Sequence, residues 1–168
     1  MKKMTVGKEK SIDISFNING NDMTVSVKPS ESLIDMIRRL GYKGTKKGCD
    51  TGDCGSCALI LDGKAVIGCL MPAFYADGKK ITTIEGIGSI LNPHPIQKAF
   101  VDAGAVQCGF CIPGMIISTK FLLDRFPTPD EKTIKHHLDG NLCRCTGYVK
   151  QIEAVRLASN RLKNTNRE

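Results

Sequence analysis

Apolar and polar residues alternate from Ile12 through Ile14 and Phe16 to Ile18, the period of a strand with one buried face. The alternation breaks at Asn19-Gly20-Asn21-Asp22, a hairpin turn signal, and resumes at Met23, Val25 and Val27. Pro29 ends the second strand, and Ser30 or Ser32 then caps a helix carrying Leu33, Ile34, Met36, Ile37 and Leu40, closed by Gly41. Leu59, Ile60 and Leu61 form a short strand, Asp62-Gly63-Lys64 a turn, and Ala65, Val66 and Ile67 the return strand. Residues 80–84 supply one more strand. Residues 12–86 thus predict a small mixed sheet with one main helix.

Near residue 90 the period changes. Pro95 to Asp102 reads as a short helix ended by Gly104. Pro113 suits a first helical position, and Met115, Ile116, Thr119, Leu122, Leu123 and Phe126 share one face of the helix that follows. Thr128-Pro129-Asp130-Glu131 matches a capping box for a third helix, which ends at Gly140. Ile152, Val155, Ser159 and Leu162 mark a last amphipathic helix. The pattern therefore predicts an α+β chain: a tail at 1–10, a sheet domain at 11–90, a four-helix domain at 91–163 and a tail at 164–168.

Between the first helix and the third strand lies GYKGTKKGCDTGDCGSC (41–57), too rich in Gly and Cys to be a packed element. It opens a set of four thiols, Cys49, Cys54, Cys57 and Cys69, whose first three have the C-x4-C-x2-C spacing of plant-type ferredoxins. Gly48, Gly52 and Gly55 allow a tight loop to approach a metal–sulfide core closely, and Lys46 and Lys47 are placed to offset its negative charge. A second set, Cys108-x2-Cys111 and Cys143-x-Cys145, lies in two turns between predicted helices. Four converging thiols fit an iron–sulfur site or a structural zinc ion, and soft thiolate ligands do not separate the two. Eight cysteines in a chain without a secretory signal point to metal binding more than to disulfides.

The remaining features narrow the function by exclusion. The formal charge is +7, but the first ten residues carry +3 and the last eight +2, so the body is close to neutral. With no basic stripe interleaved with aromatics, nucleic-acid binding is not expected. No apolar run is long enough to cross a membrane, and a cytoplasmic location is expected. His94, His136 and His137 read as capping or solvent-facing residues, Asp50 and Asp53 as solvated loop carboxylates. No arrangement suited to nucleophilic or general acid–base catalysis stands out.

GCDTGDCGSC, QCGFCIPGM and NLCRCTGY, in that order with Cys69 between the first two, account for all eight cysteines. Together they resemble the small iron–sulfur subunit of the molybdenum hydroxylases, the family of xanthine dehydrogenase, aldehyde oxidoreductase and carbon monoxide dehydrogenase. The resemblance runs from about residue 11 to 160 and favours iron–sulfur over zinc at the second set. It implies a ferredoxin-like β-grasp domain followed by a four-helix-bundle domain, with two 2Fe–2S clusters. Cys49, Cys54, Cys57 and Cys69 match the ligands of the β-grasp cluster; Cys108, Cys111, Cys143 and Cys145 match those of the helical-domain cluster. It also implies a large partner subunit that binds a molybdopterin cofactor and a medium one that binds FAD. Electrons would pass from molybdenum to the helical-domain cluster, then to the β-grasp cluster and flavin. Gln107 matches a glutamine that contacts the pterin, and Cys145 the ligand that approaches it. Ala58 and Ile112 stand where relatives commonly carry Thr. The expected substrate is a purine, another N-heterocycle or an aldehyde. The rival expectation is a free-standing two-cluster ferredoxin-like carrier.

Overall fold

The computed structural model describes residues 10–165. Apart from Lys10, Asn164 and Thr165, the two expected tails lie outside the described residues.

Two tight hairpins build the sheet. β1 (Ile12–Ile18) returns as β2 (Asn21–Val27) through Asn19 and Gly20, both at positive φ (52° and 88°), the geometry whose twist matches the flanking strands. β3 (Ala58–Leu61) returns as β4 (Lys64–Ile67) through Asp62 and Gly63, at 47° and 74°. β5 (Lys80–Thr82) joins the hairpins, giving the order β2-β1-β5-β3-β4, parallel to β1 and antiparallel to β3. Asp62 fixes that junction: its carboxylate accepts from Lys80 N–H at 2.8 Å, and its own N–H donates to the Lys80 carbonyl at 2.9 Å. α1 (Leu33–Arg39), capped by the Ser32 hydroxyl accepting from Asp35 N–H, buries Leu33, Met36 and Ile37 against Ile14, Phe16, Ile18, Leu59 and Ile81.

The second half is helical: α2 (Ile84–Ile87), α3 (Pro95–Asp102), α4 (Ile112–Arg125), α5 (Glu131–Leu138) and α6 (Val149–Thr165). α3 packs on α6 and α4, and α5 packs on α4 and α6, around Phe100, Met115, Leu122, Ile134, Leu138 and Val155. The short α2, for which the sequence pattern carries no signal, turns Ile84 and Ile87 onto this helical core. His94 caps α3 through Nδ1, which accepts from Ile96 N–H.

α5 starts two residues later than the Thr128 capping box predicts. Asp130 is the cap, its carboxylate accepting from Thr133 N–H at 2.8 Å. A carboxylate is the stronger cap, and the Pro127 carbonyl is held out on α6 by the Ser159 hydroxyl at 2.5 Å. α4 also crosses β3 and β4, joining the two halves. No helix among the described residues is long and apolar enough to cross a membrane.

Candidate metal centres

The first thiol loop hangs from α1. Arg38 donates from Nη1 to the carbonyls of Lys43 (3.0 Å) and Thr45 (2.7 Å), and Lys46 N–H donates to the Ser56 carbonyl at 3.1 Å. The loop delivers Cys49, Cys54 and Cys57. Cys69 arrives from the far side, because Gly68 N–H bonds the Cys57 carbonyl at 3.2 Å where β4 ends. Gly48 and Gly52 are among the glycines this cradle requires. A Cβ at Gly48 would lie 2.9 Å from Cys54 Sγ and 3.4 Å from the Phe110 ring. Gly52, at φ +87°, lies under Leu70, whose side chain a Cβ would strike.

The thiols of this set meet in pairs, Cys49 with Cys54 and Cys57 with Cys69. Hydrogen bonds from the Thr51 hydroxyl and backbone, and from Cys54, pull the Cys49 thiol down to about 6. The Thr51 hydroxyl has one proton for two acceptors, since Asp53 Oδ2 also contacts it. Burial, then Cys57, pushes Cys69 up to about 11. Lys47 does not face the thiols freely, as the sequence suggests it should. Its ammonium is engaged by Asp35 (2.8 Å) and Asp50 (3.2 Å), and it draws the Asp35 carboxyl below its usual range. Lys46 Nζ donates to the Lys43 carbonyl at 3.0 Å.

The second set has an inner and an outer pair. Cys111, the N-cap residue of α4 and 8% exposed, meets Cys143 inside. Cys108 and Cys145 are exposed, their sulfurs 3.6 Å apart, beside exposed Gln107. Burial, then Cys143, pushes Cys111 up to about 12. Burial also opposes ionisation of Cys143, but hydrogen bonds from Thr146 and Cys145 outweigh it and lower its pKa. Cys143 N–H donates to the Tyr148 hydroxyl at 2.7 Å, with Tyr148 itself at φ 68°.

The two thiol loops touch. Leu142 N–H donates to the Cys54 carbonyl at 3.0 Å, and Asn141 Nδ2, buried at 3% exposure, donates to the Gly55 carbonyl at 3.2 Å. Gly114 of α4 lies against the same carbonyl, with room for no Cβ. Among the described residues no three His, Cys, Asp or Glu side chains converge as ligands of a single ion would. All-sulfur donors in close pairs, wrapped by glycines that leave space beside the sulfurs, fit a cluster in which each of two irons takes two thiolates.

Residues 16–82 match the model of a 2Fe-2S iron-sulfur cluster binding domain, and residues 83–156 that of a 2Fe-2S binding domain. A nicotinate dehydrogenase subunit of Pseudomonas putida is 46% identical over 147 residues, covering 87% of this chain and 94% of that one. The nicotinate dehydrogenase small FeS subunit of Eubacterium barkeri is 44% identical, covering 91% of this chain and 98% of the relative. The chain belongs to the iron–sulfur subunits of the molybdenum hydroxylases. A chain of quinoline 2-oxidoreductase from Pseudomonas putida 86 superposes on this iron–sulfur subunit with a TM-score of 0.87, at 36% identity, covering 92% of it and 97% of that chain. The subunit is therefore an electron-transfer component of an oxidoreductase, with a 2Fe–2S-binding domain in each half. A free-standing carrier is the less favoured reading.

Four residues that shape the sites are not cysteines, and the spacing of the thiols does not single them out. Asn141 and Gly114 act through contacts distant in sequence, and Arg38 through the carbonyls of Lys43 and Thr45, five and seven positions on. Gln151 had a local signal: with Val155, Ala158 and Leu162 it lies on the inward stripe of α6, where a glutamine is out of place.

Proposed function

We propose that Cys49, Cys54, Cys57 and Cys69 hold one 2Fe–2S cluster, that Cys108, Cys111, Cys143 and Cys145 hold the other, and that the chain relays electrons inside a larger hydroxylase. Each cluster, when bound, accepts and returns one electron. A large partner subunit carries the molybdopterin cofactor and faces the outer pair, Cys108 and Cys145. A medium partner carries FAD and faces the first thiol loop. The observation that carries this reading is the meeting of all eight thiols as close pairs, two pairs in each set, with the loops of the two sets joined at Leu142 N–H and the Cys54 carbonyl. Exposure of Cys108, Cys145 and Gln107 on one surface supports entry of electrons there. The substrate class is an N-heterocycle, a purine or an aldehyde; the names of the relatives, nicotinate and quinoline enzymes, favour the first. The complex is placed in the cytoplasm.

A tagged chain purified anaerobically from its native host is expected to bring down two larger subunits. It should itself carry about four iron and about four acid-labile sulfide, two of each per cluster. Zinc in place of iron, or a chain that purifies alone with both clusters, would sink the reading.

Gln107 tests the entry side. It can donate and accept hydrogen bonds without adding charge, and is assigned to the pterin. Gln107→Leu is expected to leave iron content unchanged, because it is not a ligand. Reduction of the clusters by substrate in the assembled complex should slow by about 10–100-fold, the usual effect of losing an outer partner of a metal site, or molybdopterin content should fall. Wild-type rate with wild-type cofactor content would remove Gln107 from this role.

A further inference from the structure

Gln151, in the first turn of α6, is wholly buried, with an exposure of 0%. Its Nε2 lies 3.3 Å from the Ala105 carbonyl, in contact with Thr146 Oγ1, and 3.8 Å from Cys143 Sγ. Thr146 Oγ1 is itself 3.2 Å from Cys143 Sγ. The Ala105 carbonyl and the sulfur are both acceptors, so the amide must present its NH2 group to them; the reverse orientation would set oxygen against oxygen. One N–H then goes to Ala105, and the other serves the Thr146 oxygen and the sulfur beside it. The Thr146 hydroxyl, accepting from Gln151, has its only proton free for Cys143. Donors in such a chain polarise one another and strengthen. The arrangement leaves Gln151 Oε1 buried without a partner among the described residues, a cost that an apolar side chain at this position would avoid.

We propose that Gln151 is a positioning residue that raises the reduction potential of the second cluster, by holding N–H and O–H donors on the sulfur of Cys143. This rests on the reading of Cys143 as a ligand of that cluster. Reduction adds negative charge to the cluster and its thiolates. Donors aimed at a ligand sulfur stabilise the reduced form more than the oxidised one, and hydrogen bonds to sulfur are among the factors that set such potentials. Gln151 touches no thiol of the first set, so its effect is confined to the second. A raised potential there makes the cluster facing the large subunit the better acceptor.

The test is a spin-resonance redox titration of both clusters in the assembled complex carrying Gln151→Met, which keeps length and shape but has no donor, and Gln151→Leu. The second cluster's reduction equilibrium should fall at least tenfold, which is about 59 mV for a one-electron couple. The first cluster should not move. An unmoved second midpoint in a variant with full iron content overturns the proposal. Should both variants fail to fold, wild-type complex labelled with 15N in glutamine side chains is measured instead. A 15N coupling at the reduced second cluster that survives Gln107→Leu is the expected result, and absence of any coupling overturns the proposal. If Cys143 is not a ligand, Cys143→Ser keeps both wild-type cluster signals, an outcome that is distinct from an intact cluster with an unmoved potential.

Discussion

Cys111→Ser is expected to halve the iron content and erase one of the two reduced-state spin-resonance signals, while Cys54→Ser erases the other. The two thiol sets share no side chain, and each sulfur meets partners of its own set. A hydroxyl is a harder, weaker ligand for iron than a thiolate. At Cys111 it would also stand almost wholly buried, where an unpaired polar group costs roughly 1–3 kcal/mol. The link between the loops runs from Leu142 N–H to the Cys54 carbonyl, so it survives either side-chain change. Loss of both signals from either variant, with the helical circular dichroism of the wild type retained, would mean that the sites are not separate.

Gly55→Ala is expected to lower stability by about 2–5 kcal/mol. Gly55 is held at φ +67°, and a side chain forced into the left-handed region costs roughly 1–2 kcal/mol. Its Cβ would also run into the Gly140 carbonyl and lie 2.6 Å from Asn141 Nδ2, and overpacking of that kind costs roughly 1–3 kcal/mol more. The sign at Gly114 makes a sharper companion test. Alanine in a helix interior is ordinarily better than glycine by about 1 kcal/mol. Here a Cβ would strike the Gly55 carbonyl and press on Ser56 Cα at 3.2 Å, so Gly114→Ala should destabilise. Thermal unfolding of the iron-loaded chain measures both, and a rise in midpoint for Gly114→Ala would show that the halves are not in close contact there.

The sheet was legible because its signals are local. Two-residue turns at Asn19-Gly20 and Asp62-Gly63 and strict alternation in β1 leave little choice of register. The thiol sets were legible because ligand spacing within a loop is a sequence property. What could not be read was how the loops meet. Gly114 looks like a weak point in a helix, and Asn141 like one more loop residue, until the first thiol loop is laid against them. Lys47 reads as a free cation until Asp35, twelve positions back, closes on it. The start of α5 differs from the pattern because two caps compete within three residues and Asp130, whose carboxylate accepts from Thr133 N–H, is the one used.

The outer position of Cys108 and Cys145 bears on how the protein is handled. Exposed thiols oxidise more readily than buried ones, and these two face solvent, within reach of each other, at the edge of the second site. A chain purified alone and left in air is expected to oxidise at that edge first, with Cys111, 8% exposed, the better shielded. Iron counts on the lone chain therefore have meaning only under exclusion of oxygen, and an air-prepared sample would imitate the Cys111→Ser variant.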